Sequence, residues 1–141
     1  MLEDFIEVNK LSAEIIERRV LSPAGAKSRL FVYTKDSSKW PHLFIFPARK
    51  KLDMEKVARV MGSHDIREPD EKETLRITGY QAGYLPFVSI YGVVVVLDKS
   101  LLKHDYIYTF VGEERTLKIK PDDVIEFNER AIIADVVEED R

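Results

Sequence analysis

Val93-Val94-Val95-Val96-Leu97-Asp98 is an unbroken apolar run closed by a carboxylate. A strand with one wet face alternates apolar and polar residues, whereas a strand covered on both faces reads continuously, so this run predicts a central strand ending at Asp98. Upstream, Arg29–Thr34 and His42-Leu43-Phe44-Ile45-Phe46 are rich in aromatic and β-branched residues and flank the turn-like Lys35-Asp36-Ser37-Ser38-Lys39. They predict a hairpin. Downstream, Tyr106-Ile107-Tyr108-Thr109-Phe110 and Thr116-Leu117-Lys118-Ile119-Lys120 flank Gly112-Glu113-Glu114 and predict a second one.

Short helices fill the intervals. Asp53 caps a helix in which Met54, Val57, Ala58 and Met61 share one face and which Gly62 stops. Pro69 and Asp70 start another, carrying Leu75 and Ile77 and ended by Gly79. Leu11, Ile15, Ile16 and Val20 fall at helical spacing behind Ser12, with Pro23-Ala24-Gly25 beyond them, and predict a short amphipathic helix. Pro121 opens a last helix before a strand from Ala131 to Val137, and the tail Glu138-Glu139-Asp140-Arg141 is expected to fray. Helices interspersed with hairpins, without regular β-α alternation, imply an α+β (mixed α/β) domain on a curved, largely antiparallel sheet. The 141 residues suit one domain, 1–141, with no repeat and no linker.

Composition narrows the chemistry. With 45% hydrophobic and 33% charged residues the chain has the means to build a core, which argues against disorder, collagen-like repeats and low-complexity sequence. Zero cysteines exclude a disulfide framework, a thiolate zinc site and a cysteine nucleophile, and fit a reducing cytosol. The net charge of -3 gives no positive field for wrapping a duplex, although a local basic site remains open. Met1-Leu2-Glu3-Asp4-Phe5 is acidic and amphipathic, unlike a signal peptide, and no apolar run approaches the ~20 residues of a membrane span. The expectation is a soluble, cytoplasmic protein that takes no part in membrane or DNA binding.

His42, His64 and His104 stand at no metal-ligand spacing, so no metal site is expected; the first two are read as starting strands and the third as lying in a loop. No G-x-S-x-G elbow, P-loop or G-x-G-x-x-G fingerprint is present. The densest unusual segment is Gly79-Tyr80-Gln81-Ala82-Gly83-Tyr84-Leu85-Pro86-Phe87. Its two glycines allow φ > 0 and close approach, so successive backbone N–H groups can converge on one oxygen; a helix cap followed by an ordinary turn explains the same spacing. Lys27 enters the first strand where an ammonium can reach a phosphate, or is a plain surface lysine. Asp98 either orients a ligand amine or hydroxyl, or caps the turn Lys99-Ser100-Leu101-Leu102. Arg49-Lys50-Lys51 is a solvated loop, or with Lys27 a local positive patch.

Taken in order from Lys27 to Asp135, these pieces resemble the YbaK/prolyl-tRNA-synthetase-associated domain family of trans-editing aminoacyl-tRNA deacylases. Lys27-Ser28 resembles the family's Lys-Thr before a strand, and Arg49-Lys50-Lys51-Leu52-Asp53 with Ala58 and Gly62 its run into a helix. Gly79-Tyr80-Gln81-Ala82-Gly83 with Pro86-Phe87 resembles its G-x-x-P-G loop, Asp98 with Ser100-Leu101-Leu102 its Asp-x-Ser-Leu-Leu, and Gly112 its glycine near the last hairpin. The sequence departs from the pattern at Ala82, usually proline, and at Arg29, usually apolar. Val111-Gly112 stands where the subgroup acting on alanyl-tRNA for proline has His-Pro, so that histidine is not carried over.

The resemblance implies a barrel-like domain that binds the aminoacylated 3′ end of a tRNA and hydrolyses a mischarged ester, such as Cys- or Ala-tRNAPro, alone or with prolyl-tRNA synthetase as partner. In that reading Lys27 holds phosphate or the carbonyl region, and amides from Gly79 to Gly83 stabilise the oxyanion. Tyr80 or Tyr84 stacks on adenine or walls the pocket, a core role being equally open for them; Gln81, Ala82, Pro86 and Gly112 complete the substrate side, and Asp98 orients the α-amino group or supports the loop. No cofactor is called for, since a water activated by the substrate's own hydroxyl can attack a positioned ester. The alternative implied by Ala82 and Arg29 is a noncatalytic module binding a nucleotide, an aminoacyl group or a synthetase.

Overall fold

The computed structural model describes residues 1–139. In chain order it runs α1 (Leu2–Val8), β1 (Glu14–Ile16), β2 (Ala26–Tyr33), β3 (His42–Pro47), α2 (Met54–Met61), β4 (Ile66–Arg67), α3 (Glu71–Thr78) and β5 (Val94–Asp98). A 3₁₀ turn (Lys99–Lys103), β6 (Ile107–Gly112), β7 (Arg115–Ile119), α4 (Pro121–Glu126) and β8 (Arg130–Ala134) follow. The architecture is α+β, with mostly antiparallel sheets and short helices, as expected from the sequence.

Five strands form one sheet in the order β4-β2-β3-β5-β8, and three form another in the order β1-β7-β6. Both expected hairpins are present, β2 with β3 and β6 with β7. β5 lies between β3 and β8 and pairs with both in parallel. Its apolar run is covered on both faces: Val95 and Leu97 enter one core with Leu43, Ile45, Leu117 and Ile119, while Val96 enters another with Phe44, Phe46 and Val57. The two sheets meet at a parallel bridge between Gly25 and Tyr108 and do not close into a barrel.

The helix starts follow local chemistry. The Asp53 carboxylate accepts from the amides of Glu55 and Lys56, and Gly62 ends α2 at φ 70°. Asp70 caps α3 through the Glu73 amide, and Gly79 ends it at φ 80°. Along α3, however, the buried residues are Thr74 and Thr78, whereas Leu75 is exposed.

Three expectations change. The segment 11–20 is not a helix: Glu14–Ile16 pairs with β7, and the inward residues Leu11, Ala13 and Ile15 follow a period of two. A strand partner overrides the helical spacing, and the N-terminal helix lies earlier, at Leu2–Val8, where Leu2, Phe5 and Ile6 pack on the core. The last strand stops at Ala134, because beyond it the Val136 amide turns to the Asp98 carboxylate. The Glu138 amide donates to Lys51 O, so the tail is paired at that point; Asp140 and Arg141, included in the expected fraying, lie outside the described residues. No helix among the described residues is long and apolar enough to cross a membrane.

Candidate functional site

The outer edge of β2 is open over part of its length. Gly25 bridges Tyr108 at one end, and Val32 and Tyr33 pair with β4 at the other. Between them lies a hollow of about 220 Å³, walled on the β2 side by Ser28, Arg29 and Leu30 and across from them by Ala82, Gly83 and Leu85. Consecutive strand residues point to opposite faces, so three in a row can share a wall only along an edge. The glycine turn therefore runs beside the unpaired edge of β2, with buried Thr74 of α3 on the same wall system.

Each part of the turn has a distinct role. The Gly79 amide donates to Leu75 O and closes α3, and the Tyr80 amide donates to Thr78 Oγ1. Gln81 is exposed and its carbonyl accepts from the Tyr84 amide, which forms the turn. The amides of Gln81, Ala82 and Gly83 have no hydrogen-bond partner among the described residues, and Ala82 and Gly83 line the hollow. Gly83 sits at φ 88° with open space where a Cβ would project. Unspent donors at a left-handed turn form a concavity suited to an oxygen carrying negative charge.

Arg29 is the cation that lines the hollow with that turn. Its Nε donates to Glu68 Oε1 at 2.7 Å, which raises the guanidinium pKa and holds the side chain at the mouth. Both terminal nitrogens lack a hydrogen-bond partner among the described residues. Lys27 departs from the expectation that it shares the cavity with the turn. It precedes the wall by one residue, is exposed, and rests its ammonium 5.5 Å from the centroid of Phe46. Strand alternation sends it to the face of Phe46, its partner across the β2–β3 pair.

Asp98 is fully buried and its carboxylate is engaged within the fold. One oxygen accepts from the Val136 amide at 2.9 Å; the other accepts from the Ser100 amide at 3.2 Å and from the Ser100 hydroxyl. It caps the 3₁₀ turn and ties the C-terminal segment to β5, so it has no exposed surface with which to meet a substrate amine. Tyr80 points inward, donating to Ser89 Oγ at 2.8 Å, and burial raises its pKa. Pro86 is buried in the run that follows the turn, and Tyr84 is half-buried. Gly112 belongs to the irregular end of the β6–β7 hairpin, where a Cβ would meet the Arg115 side chain, and it does not line the hollow.

The structure thus brings together Ala82, Gly83 and the β2 edge, and separates from them Lys27, Asp98 and Gly112. Sequence inspection passed over Ser28 and Glu68 as wall residues, although Ser28 is adjacent to Lys27 and Glu68 is the acid that Arg29 requires once β4 is placed beside β2.

Among solved structures the chain is similar to a proposed trans-editing enzyme for prolyl tRNA synthetase, with 20% identity and a TM-score of 0.82 over 98% of this chain and 95% of that one. A scaffold protein used for epitope backbone grafting by computational design gives the same identity, coverage and TM-score. A proposed signal transduction protein from Marinobacter aquaeolei VT8 is similar at 16% identity and a TM-score of 0.73, over 98% of this chain but 30% of that one. These likenesses show a shared fold. No curated protein matches the chain. Residues 10–127, which span the open β2 edge, the glycine turn and both sheets up to α4, match the aminoacyl-tRNA editing domain, and the chain belongs to that family.

Proposed function

We propose that this protein is an aminoacyl-tRNA deacylase that hydrolyses the ester of a mischarged amino acid in the hollow between β2 and the Gln81–Gly83 turn. The observation that carries this reading is the set of unpartnered amides at Gln81, Ala82 and Gly83 beside a cavity of about 220 Å³. That volume lies below the usual range for drug-sized ligands and suits an ester with a small side chain, leaving the nucleotide outside. Ser28 and Leu30 wall the side chain, the free amides receive the oxygen of the tetrahedral intermediate, and Arg29 at the mouth takes the terminal phosphate through its unpaired nitrogens. Lys27, just outside the wall and on the Phe46 face, meets a phosphate of the nucleotide that stays outside the hollow. Water positioned against the ester adds to its carbonyl carbon while the neighbouring ribose hydroxyl takes the water's proton and passes its own to the departing ribose oxygen; the acyl C–O bond breaks and releases the free amino acid and an unesterified tRNA, so the protein's work is orientation and polarisation.

A hollow suited to a small side chain and the likeness to a proposed trans-editing enzyme for prolyl tRNA synthetase support Cys- or Ala-tRNAPro as the mischarged species and prolyl-tRNA synthetase as partner, and the cysteine-free sequence fits action in a reducing cytoplasm. The Arg29–Glu68 contact across the mouth favours one competing reading, a module that holds the aminoacyl end without cleaving it. Incubation of the protein with Cys-, Ala- and Ser-tRNAPro, followed by ester loss, separates the two. Faster loss than in buffer for at least one member supports the deacylase; binding with no acceleration for any supports the module.

A further inference from the structure

The outer face of the three-stranded sheet carries a constellation that the hollow does not use. Tyr106, Tyr108 and Phe110 are alternate residues and share that face, whereas Ile107 and Thr109 turn inward and are buried. All three rings are half-buried. On β7, Lys118 stands opposite Tyr108, and the ammonium groups of Lys118 and Lys120 lie 4.4 and 5.9 Å from the Tyr106 ring centroid. A segment crossing the far end bonds to the Thr116 hydroxyl at Arg18 and Val20, and from it Arg19 places its guanidinium carbon 3.9 Å over Phe110.

We infer that this face binds a short stretch of single-stranded RNA, with unpaired bases stacked along the three rings and phosphates held by Lys118, Lys120 and Arg19. Alternate residues of a strand are spaced by about 6.6–6.8 Å, twice the ~3.4 Å rise of bases stacked in a duplex. Rings so spaced match splayed bases of an extended strand and not a helix. Aromatic rows edged by lysines are the general solution for single strands, because every base has a face to stack and every nucleotide a charge. In the free protein the cations rest on the rings; a base displaces a flexible ammonium toward the phosphate, and a guanidinium plane is itself a stacking surface. Beyond Tyr106 a cavity of about 440 Å³, lined also by His104 and Lys120, offers room for one terminal base.

Lys118, Lys120 and Arg19 lie on the rings themselves, so their charge sits where the bases would stack, in a chain of net charge -3. Glu14, opposite Lys118 on β1, and Asp105 and Asp122 beside the 440 Å³ cavity are the acids that oppose it. The bridge between Gly25 and Tyr108 joins this face to the start of β2, three residues before Ser28. That the bound strand feeds its end into the hollow rests on the proposed deacylase function; that the face binds RNA does not.

The test is fluorescence anisotropy with a fluorescein-labelled, mixed-sequence RNA octamer whose 3′ end is blocked by phosphate. Its blunt duplex, Tyr106→Leu, Phe110→Leu, Lys118→Gln and Gly83→Val complete the set. Leucine keeps the apolar cover, and circular dichroism confirms folding. Expected are tighter binding of the single strand than of the duplex, about tenfold weakening for each lost ring, and a salt slope reduced by roughly 0.7 in Lys118→Gln. Gly83→Val, which alters only the hollow, is expected to bind normally. Equal binding of the duplex, unchanged binding in folded ring variants, or loss confined to Gly83→Val would overturn the inference, whatever the deacylation assay gives.

Discussion

Arg29 Nε and Glu68 Oε1 meet at 2.7 Å across the mouth of the hollow that separates β2 from the Ala82–Gly83 turn. Both side chains remain substantially exposed, at 40% and 46%, so the pair contributes only about 0–1 kcal/mol to stability. Its effect on activity is expected to be larger. Arg29→Met should lower kcat/KM for the best mischarged tRNA by at least about tenfold, with little change in Tm, since one charge-assisted contact to phosphate is lost. A loss in Tm without a loss in kcat/KM would assign Arg29 to the scaffold.

Lys27 makes one ring contact and is otherwise exposed. Lys27→Ala is therefore expected to leave thermal unfolding nearly unchanged while cutting deacylation sharply. Undiminished turnover would mean that Arg29 alone supplies the positive charge.

Asp98 predicts the opposite pattern. Removing the carboxylate leaves the buried Val136 amide and the half-buried Ser100 amide without acceptors. Asp98→Ala should cost about 3 kcal/mol in urea unfolding, and Asp98→Asn less, because its carbonyl oxygen can still accept. Activity per folded molecule is expected to persist in Asp98→Asn; its loss at full stability would restore a direct role for this side chain.

His42 gives a pH signature. Its ring stacks on Phe44 and meets the Tyr33 ring edge-on, and burial lowers its pKa below the ordinary histidine value, partly offset by the contact of Nδ1 with Trp40 O. The folded state thus binds this proton less readily than the unfolded state. The stabilising contribution is complete above the unfolded pKa of about 6.5 and is lost as pH falls below it. Comparing Tm at pH 7.5 and pH 5.5 should show a drop that is smaller in His42→Phe; an equal drop would place the effect elsewhere.

Much of this fold could be read from local chemistry. Asp53, Asp70, Gly62 and Gly79 mark the helix ends, and the Val93–Leu97 run marks the strand packed on both faces, because these signals act within a few residues. Leu11–Val20 misled because its apolar spacing fits a helix, yet Ile15 and Ile16 pair with Leu117 and Thr116 a hundred residues away. The site was legible in part for the same reason. A Gly-x-x-x-Gly turn announces free amides, but which strand edge faces it depends on β4 stopping at Arg67 and leaving the outer edge of β2 open along Ser28–Leu30. Lys27 and Asp98 look alike as polar residues at strand ends, and only the tertiary structure sends one outward and the other into the core.

The turn itself offers the most direct measurement. Gly83 holds φ 88° with open space around an added Cβ, so Gly83→Val strains the backbone by about 1–2 kcal/mol and shifts the free amides without filling the core. Single-turnover hydrolysis of Cys- and Ala-tRNAPro by the wild type and by folded Gly83→Val should show rapid ester loss for the wild type and a fall of about a hundredfold or more for the variant. Equal rates for the two proteins would contradict an oxyanion site at residues 81–83.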